Sequence, residues 1–255
     1  MIEATMRDIY LFNNGLGSRR IIGAIEYFRC LEGPLASNNL KLERGHTLLD
    51  IGSSNTIFPP FMASKGVQVW ATDIDDSVLK LGGVVEKLEI SNFHAEIQDA
   101  RSLPYPGNCF DRISAISTLE HIPNDGDSIA VKEMSRVLKK GGVMVITVPY
   151  GSFEEERQQH VSYFQRVYSE EDIHKRLIEP SGLEVERIEY FGETKYNFTK
   201  YWNKIPSLLK IPFLWAQPIF SKLFLGFIKD TNNLSRVEKN VFMKTGGVCL
   251  TFKKR

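Results

Sequence analysis

Thr47-Leu48-Leu49-Asp50-Ile51-Gly52-Ser53-Ser54-Asn55 is the stretch from which the architecture can be read. Thr47 to Ile51 is mostly apolar, too short for a helix and stopped by a glycine, so it reads as a buried strand. A glycine just past a strand lets the backbone approach a ligand closely, and the N-terminus of a following helix offers unpaired N–H groups to anionic atoms. Ser53, Ser54 and Asn55 can hydrogen-bond a ligand, and asparagine tolerates the left-handed conformation usually left to glycine. Asp50 is placed to accept hydrogen bonds from the loop or from a cationic amine. The same turn also suits a purely structural role.

Working outward, strands are expected at Val67 to Thr72, His94 to Gln98, Phe110 to Ser117 and Val143 to Val148. Helices are expected at Ser77 to Leu88 and Asp127 to Leu138, with Lys140-Gly141-Gly142 as a turn. Continuous apolar strands alternating with helices predict a parallel sheet covered on both faces. Upstream, apolar residues from Ser18 to Leu31 recur at helical spacing, Gly33-Pro34 stops that helix, and Ser37 to Gly45 is a polar link. Downstream, Ser169 caps a helix to Leu177 with Asp172 in a capping-box position, and strands follow at Leu183 to Tyr190 and Gly247 to Lys253.

This predicts an N-terminal helical segment (1–45), an α/β core (46–191), an insertion (192–246) and a final core strand (247–255). The insertion is rich in aromatics, including Trp202 and Trp215, and is broken by Pro206, Pro212 and Pro218.

Asp73 ends the second strand about twenty residues after Gly52, where an acid is placed to accept both hydroxyls of a ribose. Its alternative is a cap for the next helix, whose start also holds Asp75 and Asp76.

Further blocks follow in order: Ala71-Thr72-Asp73-Ile74-Asp75, Gln98-Asp99-Ala100, Phe110-Asp111, Ser117-Thr118-Leu119-Glu120-His121-Ile122 and Val137-Leu138-Lys139-Lys140-Gly141-Gly142. Together with Leu48 to Gly52, they resemble the class I S-adenosylmethionine-dependent methyltransferases, most closely the type 11 or 12 branch. The resemblance spans about Gly45 to Tyr190. It implies a Rossmann-like, doubly wound, mostly parallel seven-stranded sheet with an antiparallel last strand, the aromatic helical insertion lying before that strand.

The resemblance also implies site roles. Asp50 and the loop Gly52, Ser53, Ser54 and Asn55 fall to the methionine and ribose side of S-adenosylmethionine. Asp73 takes the ribose hydroxyls, with Ile74 against the adenine. Asp99 takes the adenine amino group, Ala100 gives a backbone contact, and Ser117 lines the floor. Arg19 or Arg20 is a candidate for the cofactor carboxylate. The family's loop commonly has two or three glycines; here Gly52 stands alone and Ser54 occupies a glycine position. The product is S-adenosylhomocysteine.

A hydroxyl acceptor needs a base. The candidates are His121, after the fourth strand, and His160, after the fifth, because histidine titrates near neutrality. Cys30, Cys109 and Cys249 form no CxxC pair, and no metal site is expected.

A formal net charge of +1, 42% hydrophobic and 25% charged residues describe an ordinary globular chain with no global pull toward nucleic acid. The N-terminus lacks a basic start followed by an apolar run, so a cytoplasmic protein is expected, with the inner membrane surface as a variant. Insertion 192–246 has three readings: a cap on the site, a homodimer surface, or a peripheral membrane contact through 196–228. The expected activity is methyl transfer to a small-molecule, saccharide or lipid-linked acceptor. RNA methylation and a non-catalytic cofactor-binding protein are the alternatives.

Overall fold

The computed structural model describes residues 2, 8–9, 12, 29–54, 56–151, 164–193, 229–230 and 244–255. Helix α1 (Arg29–Leu40) precedes β1 (Thr47–Ile51), and α2 (Phe58–Ser64) leads to β2 (Gln68–Asp73). A 3-10 turn (Asp76–Leu79) and α3 (Lys80–Lys87) follow, then β3 (Phe93–Ile97), β4 (Phe110–Ile116), α4 (Gly126–Val137) and β5 (Leu138–Pro149). Helix α5 runs over 170–181, with its middle, Ile173–Ile178, wound in the wider π form. Strands β6 (Glu184–Glu193), β7 (Lys229–Asp230) and β8 (Lys244–Lys253) complete the described chain.

The sheet order is β3-β2-β1-β4-β5-β8-β6-β7. Neighbours from β3 to β5 pair in parallel, whereas β8 runs antiparallel to both β5 and β6. This is the expected doubly wound, seven-stranded sheet. A two-residue strand, β7, adds to its edge by pairing Lys229 with Tyr190 and Asp230 with Glu189.

Alternation along the strands feeds two cores. Leu49, Ile51, Ile113, Met144 and Ile146 pack with Met134 of α4 and Leu177 of α5. Leu48, Val69, Val143 and Val145 pack on the other face with Leu40, Phe61 and Leu81. Burying each such side chain contributes about 1.5–3 kcal/mol.

Three local expectations need correction. The helix does not stop at Gly33-Pro34: α1 carries Pro34 inside it and continues to Leu40, through residues read as a polar link. Leu35, Ala36 and Leu40 are buried on the sheet. Their burial outweighs the roughly 3 kcal/mol that an internal proline costs a helix. Second, no helix begins at the Gly52 loop. Helix α2 starts at Phe58, has no side-chain cap, and carries Pro59 and Pro60, which have no N–H to offer. Third, Lys140-Gly141-Gly142 is not a free turn, because it lies within β5 and pairs with the C-terminus, Gly141 N–H donating to Lys254 O at 2.8 Å.

Helix α5 has the capping box read from sequence, the Ser169 hydroxyl accepting from Asp172 N–H and Asp172 accepting from Ser169 N–H. The insertion, apart from 192–193, 229–230 and 244–246, lies outside the described residues. No helix among the described residues is long and apolar enough to cross a membrane.

Candidate active site

Strand order reverses between β1 and β4, and ligands of open α/β sheets bind outside the carboxyl ends of strands at such a reversal. The ends of β1, β2, β3 and β4 wall a cleft of about 390 Å³ there. That lies within the roughly 300–1,000 Å³ of small-molecule sites.

Gly52 forms the floor at φ +77°, a conformation costly for other residues, and a Cβ there would collide with the Thr118 side chain. Thr118 is held in place by donating its hydroxyl to Ile51 O at 3.1 Å. The loop turns back on β2, where Gly52 and Ser53 N–H both donate to Thr72 O.

Asp50 sits beneath this loop rather than in the cleft wall. Its Oδ1 accepts from Ser114 Oγ at 2.5 Å and its Oδ2 from Ser53 Oγ at 2.7 Å. Complete burial raises its pKa to about 6, against the opposing pull of the two serine hydroxyls. Ser53 is likewise fully buried.

Ser54 and Asp73 meet in the wall. Asp73 Oδ2 accepts from Ser54 N–H at 2.9 Å, and Oδ1 accepts from Asp75 N–H at 3.0 Å. A carboxylate has about four acceptor sites, so each oxygen keeps capacity toward the cleft. Ser54 Oγ is buried without a hydrogen-bond partner. Beside them Ile74 leaves 67% of its surface exposed, an apolar face on the cleft.

Asp99 and Ala100 line the far end. The Asp99 carboxylate is gripped by Arg101, whose Nη2 lies 2.6 Å from Oδ2 and whose Nε lies 2.9 Å from Oδ1. That hydrogen bonding holds the Asp99 carboxyl below its usual range. Arg101 went unread in the sequence, though its place two residues after Asp99 suits an Asx-type turn.

At the end of β4, Ser117 has φ +46° and donates its hydroxyl to Glu32 Oε1 at 2.6 Å. Glu32 is a buried acid of α1 that the sequence reading passed over. His121 also lines the cleft, with Nδ1 3.0 Å from the carbonyl of Phe164 and Nε2 3.9 Å from Glu120 Oε1. Gln98, Ile122 and Pro123 complete the wall without having been singled out. Arg19, Asn55 and His160 lie outside the described residues. Among the described residues no group of His, Cys, Asp and Glu could hold a metal ion.

Residues 49–146, which carry most of this wall, match the family model described as "Methyltransferase domain". Over these residues the chain is similar to the methyltransferase domains of that family. Among curated relatives, it is 32% identical over 112 residues to a protein of Neisseria meningitidis serogroup C named ubiquinone/menaquinone biosynthesis C-methyltransferase UbiE. That match covers 43% of this chain and 45% of the relative. A protein of the same name from Cupriavidus pinatubonensis is 29% identical over 184 residues, covering 59% of this chain and 71% of the relative. The chain thus spans less than half the length of the Neisseria relative it matches.

Of solved structures, YcgJ from Bacillus subtilis superposes with a TM-score of 0.59 at 16% identity, covering 88% of this chain and 99% of that one. The [4+2]-cyclase SpnF gives 0.59 at 18% identity, covering 100% and 97%. At such identities these structures speak for the methyltransferase fold alone, and a fold does not by itself fix a reaction.

Proposed function

We propose that this chain binds S-adenosylmethionine in the cleft and transfers its methyl group to a small-molecule acceptor. The observation that carries the reading is the Ser54–Asp73 pair. A carboxylate already oriented by two backbone N–H groups stands beside a buried hydroxyl that lacks a partner. Both suit a ligand rich in hydroxyls, as a ribose is, and the neighbouring Ile74 suits the flat apolar face of adenine. Gly52 keeps the loop low enough for close approach. Asp50 and Ser53 act from below, holding the loop's shape. When bound, the cofactor supplies an electrophilic methyl group on a sulfonium, which carries the difficult part of the chemistry.

The adenine end differs from a simple acceptor site. Asp99 can take an amino group only by sharing its oxygens with Arg101, so the pair, rather than Asp99 alone, is the recognition unit. Ser117 serves by its backbone, since its hydroxyl is committed to Glu32.

The chain's remaining tasks are to orient the acceptor, exclude water and remove a proton. The relatives' name, a quinone-biosynthesis C-methyltransferase, suggests a carbon acceptor on a quinone-class molecule. A ring carbon becomes nucleophilic when a neighbouring hydroxyl loses its proton, and His121 at the cleft is the candidate base. A carbonyl oxygen can only accept, so the contact with Phe164 is a hydrogen bond when Nδ1 carries the proton. Nε2 is then the basic nitrogen.

Calorimetry with S-adenosylmethionine, S-adenosylhomocysteine and NAD tests the cofactor class. The first two should bind and NAD should not. Absence of binding by both at millimolar concentration sinks the proposal. Transfer of a radiolabelled methyl group across quinol, glycan, lipid and RNA pools then identifies the acceptor.

A further inference from the structure

We propose that Arg166 is a positioning residue that sets the tautomer of His121 through the main chain of Phe164. The inference rests on reading His121 as the proton acceptor at the cleft. His121 owes its Nδ1–H form to the carbonyl of Phe164, 3.0 Å away. That carbonyl belongs to a segment without regular structure, 164–167, which something must hold in register.

Arg166 ties it down. Its N–H donates to Glu120 O at 2.9 Å, beside His121 in the chain. Its Nη1 lies 2.6 Å from Oδ2 of Asp127, which is completely buried, and its Nη2 donates to Asn124 O at 2.9 Å. The guanidinium also lies 5.2 Å from the centre of the Phe164 ring, within cation–π range. One planar fork therefore joins the strand β4–α4 connection, the N-terminal turn of α4 and the residue whose carbonyl faces His121. Lysine, a point charge, cannot reproduce this geometry.

Asp127 does not depend on Arg166 for its own compensation. Arg176 reaches both its oxygens, Nε at 2.9 Å and Nη2 at 2.8 Å, and Tyr168 OH and Ser128 N–H donate as well, each at 2.8 Å. Removing the Arg166 side chain thus leaves a satisfied buried acid and the main-chain bond to Glu120 O, but takes away the guanidinium's hold on Asn124, Asp127 and the Phe164 ring. Removing Arg176 weakens the same acid and takes one of two donors from Asn124 O, while every bond of Arg166 stays in place. The two arginines separate a positioning role from a merely structural one.

The experiment is long-range proton–nitrogen correlation NMR on the full chain labelled with nitrogen-15 histidine, at a pH where imidazole is neutral. His121 is assigned by the signal lost in His121→Gln. The wild-type chain should show a protonated Nδ1 and an unprotonated Nε2. In Arg166→Met, and equally in Arg166→Lys should the first not fold, the pattern should move toward the Nε2–H form that a free histidine side chain prefers. Arg176→Met should keep the wild-type pattern. Retention of the Nδ1–H form in both Arg166 variants overturns the proposal, and so does an equal change in Arg176→Met. No cofactor or acceptor enters this measurement, so failure of the methyl-transfer reading would appear in calorimetry and not here.

Discussion

Ser54 and Asp73 share one short stretch of the cleft, yet their substitutions should act on different properties. Asp73→Ala is expected to weaken S-adenosylmethionine by tenfold or more, on the order of 1.4 kcal/mol, and calorimetry at constant salt reads it directly. An unchanged affinity would remove Asp73 from the ribose role. Ser54→Ala removes a buried hydroxyl that has no partner. The free protein should therefore be unchanged or gain up to about 1 kcal/mol, while cofactor affinity falls, because a buried polar group costs stability until something bonds it. Thermal unfolding with and without S-adenosylmethionine separates the two signs, and a loss in both states would contradict the assignment. At Gly52 the demand is steric as well as conformational. Gly52→Ala should destabilise the chain by about 1–3 kcal/mol, since the positive φ and the Thr118 side chain both oppose a methyl group. Much of this wall was legible in the sequence, where Gly52, Ser54, Asp73, Ile74, Asp99, Ala100 and Ser117 stand at or just past strand ends and His121 in the turn after β4. What escaped was pairing across the fold. Nothing in the local pattern joins Glu32 to Ser117 or Arg101 to Asp99.

Among the elements, α1 shows propensity yielding to burial. Pro34 has no N–H to give the carbonyl four residues earlier, and the helix tolerates this because Leu35, Ala36 and Leu40 cover the sheet. Pro34→Ala should restore that bond and stabilise the fold by about 1–3 kcal/mol, less the gain in unfolded-chain freedom. Urea unfolding would show it as a higher midpoint at unchanged slope; a lower midpoint would mean that the ring itself packs usefully. Strands were read more accurately than this helix for a physical reason. A buried parallel strand is a near-continuous apolar run, so its signal is local, and Thr47 to Ile51 was read to the residue despite Asp50 within it. The helix that follows β1 left no such signal, as its prolines contribute shape without capping.

Across the whole molecule, the buried Asp50 couples stability to pH. Its folded-state pKa of about 6 lies above that of an unfolded aspartate, so the native state binds more protons between about pH 4 and 6. Asp50 thus favours folding most at the acidic end of that window, and its contribution declines as pH rises through the folded value. In Asp50→Asn this decline is absent. Relative to the parent, the variant should gain on the order of 2 kcal/mol between pH 4.5 and 7.5. Paired urea titrations at the two pH values measure the difference, and parallel curves would show that Asp50 is not perturbed as described. The group acts globally because its partner Ser114 lies in β4, so the charge sits at the centre of the sheet.

By itself the sequence determined the strand-and-helix alternation, the resemblance to a methyltransferase domain, and the acids at and just past the ends of β2 and β3, because each is written in short-range pattern. Tertiary structure alone decided that Asp50 faces inward, that Arg101 occupies Asp99, and that Arg166 joins Glu120 O, Asn124 O and Asp127 beside His121. These depend on contacts between residues distant in the chain, and those are set by how the elements pack.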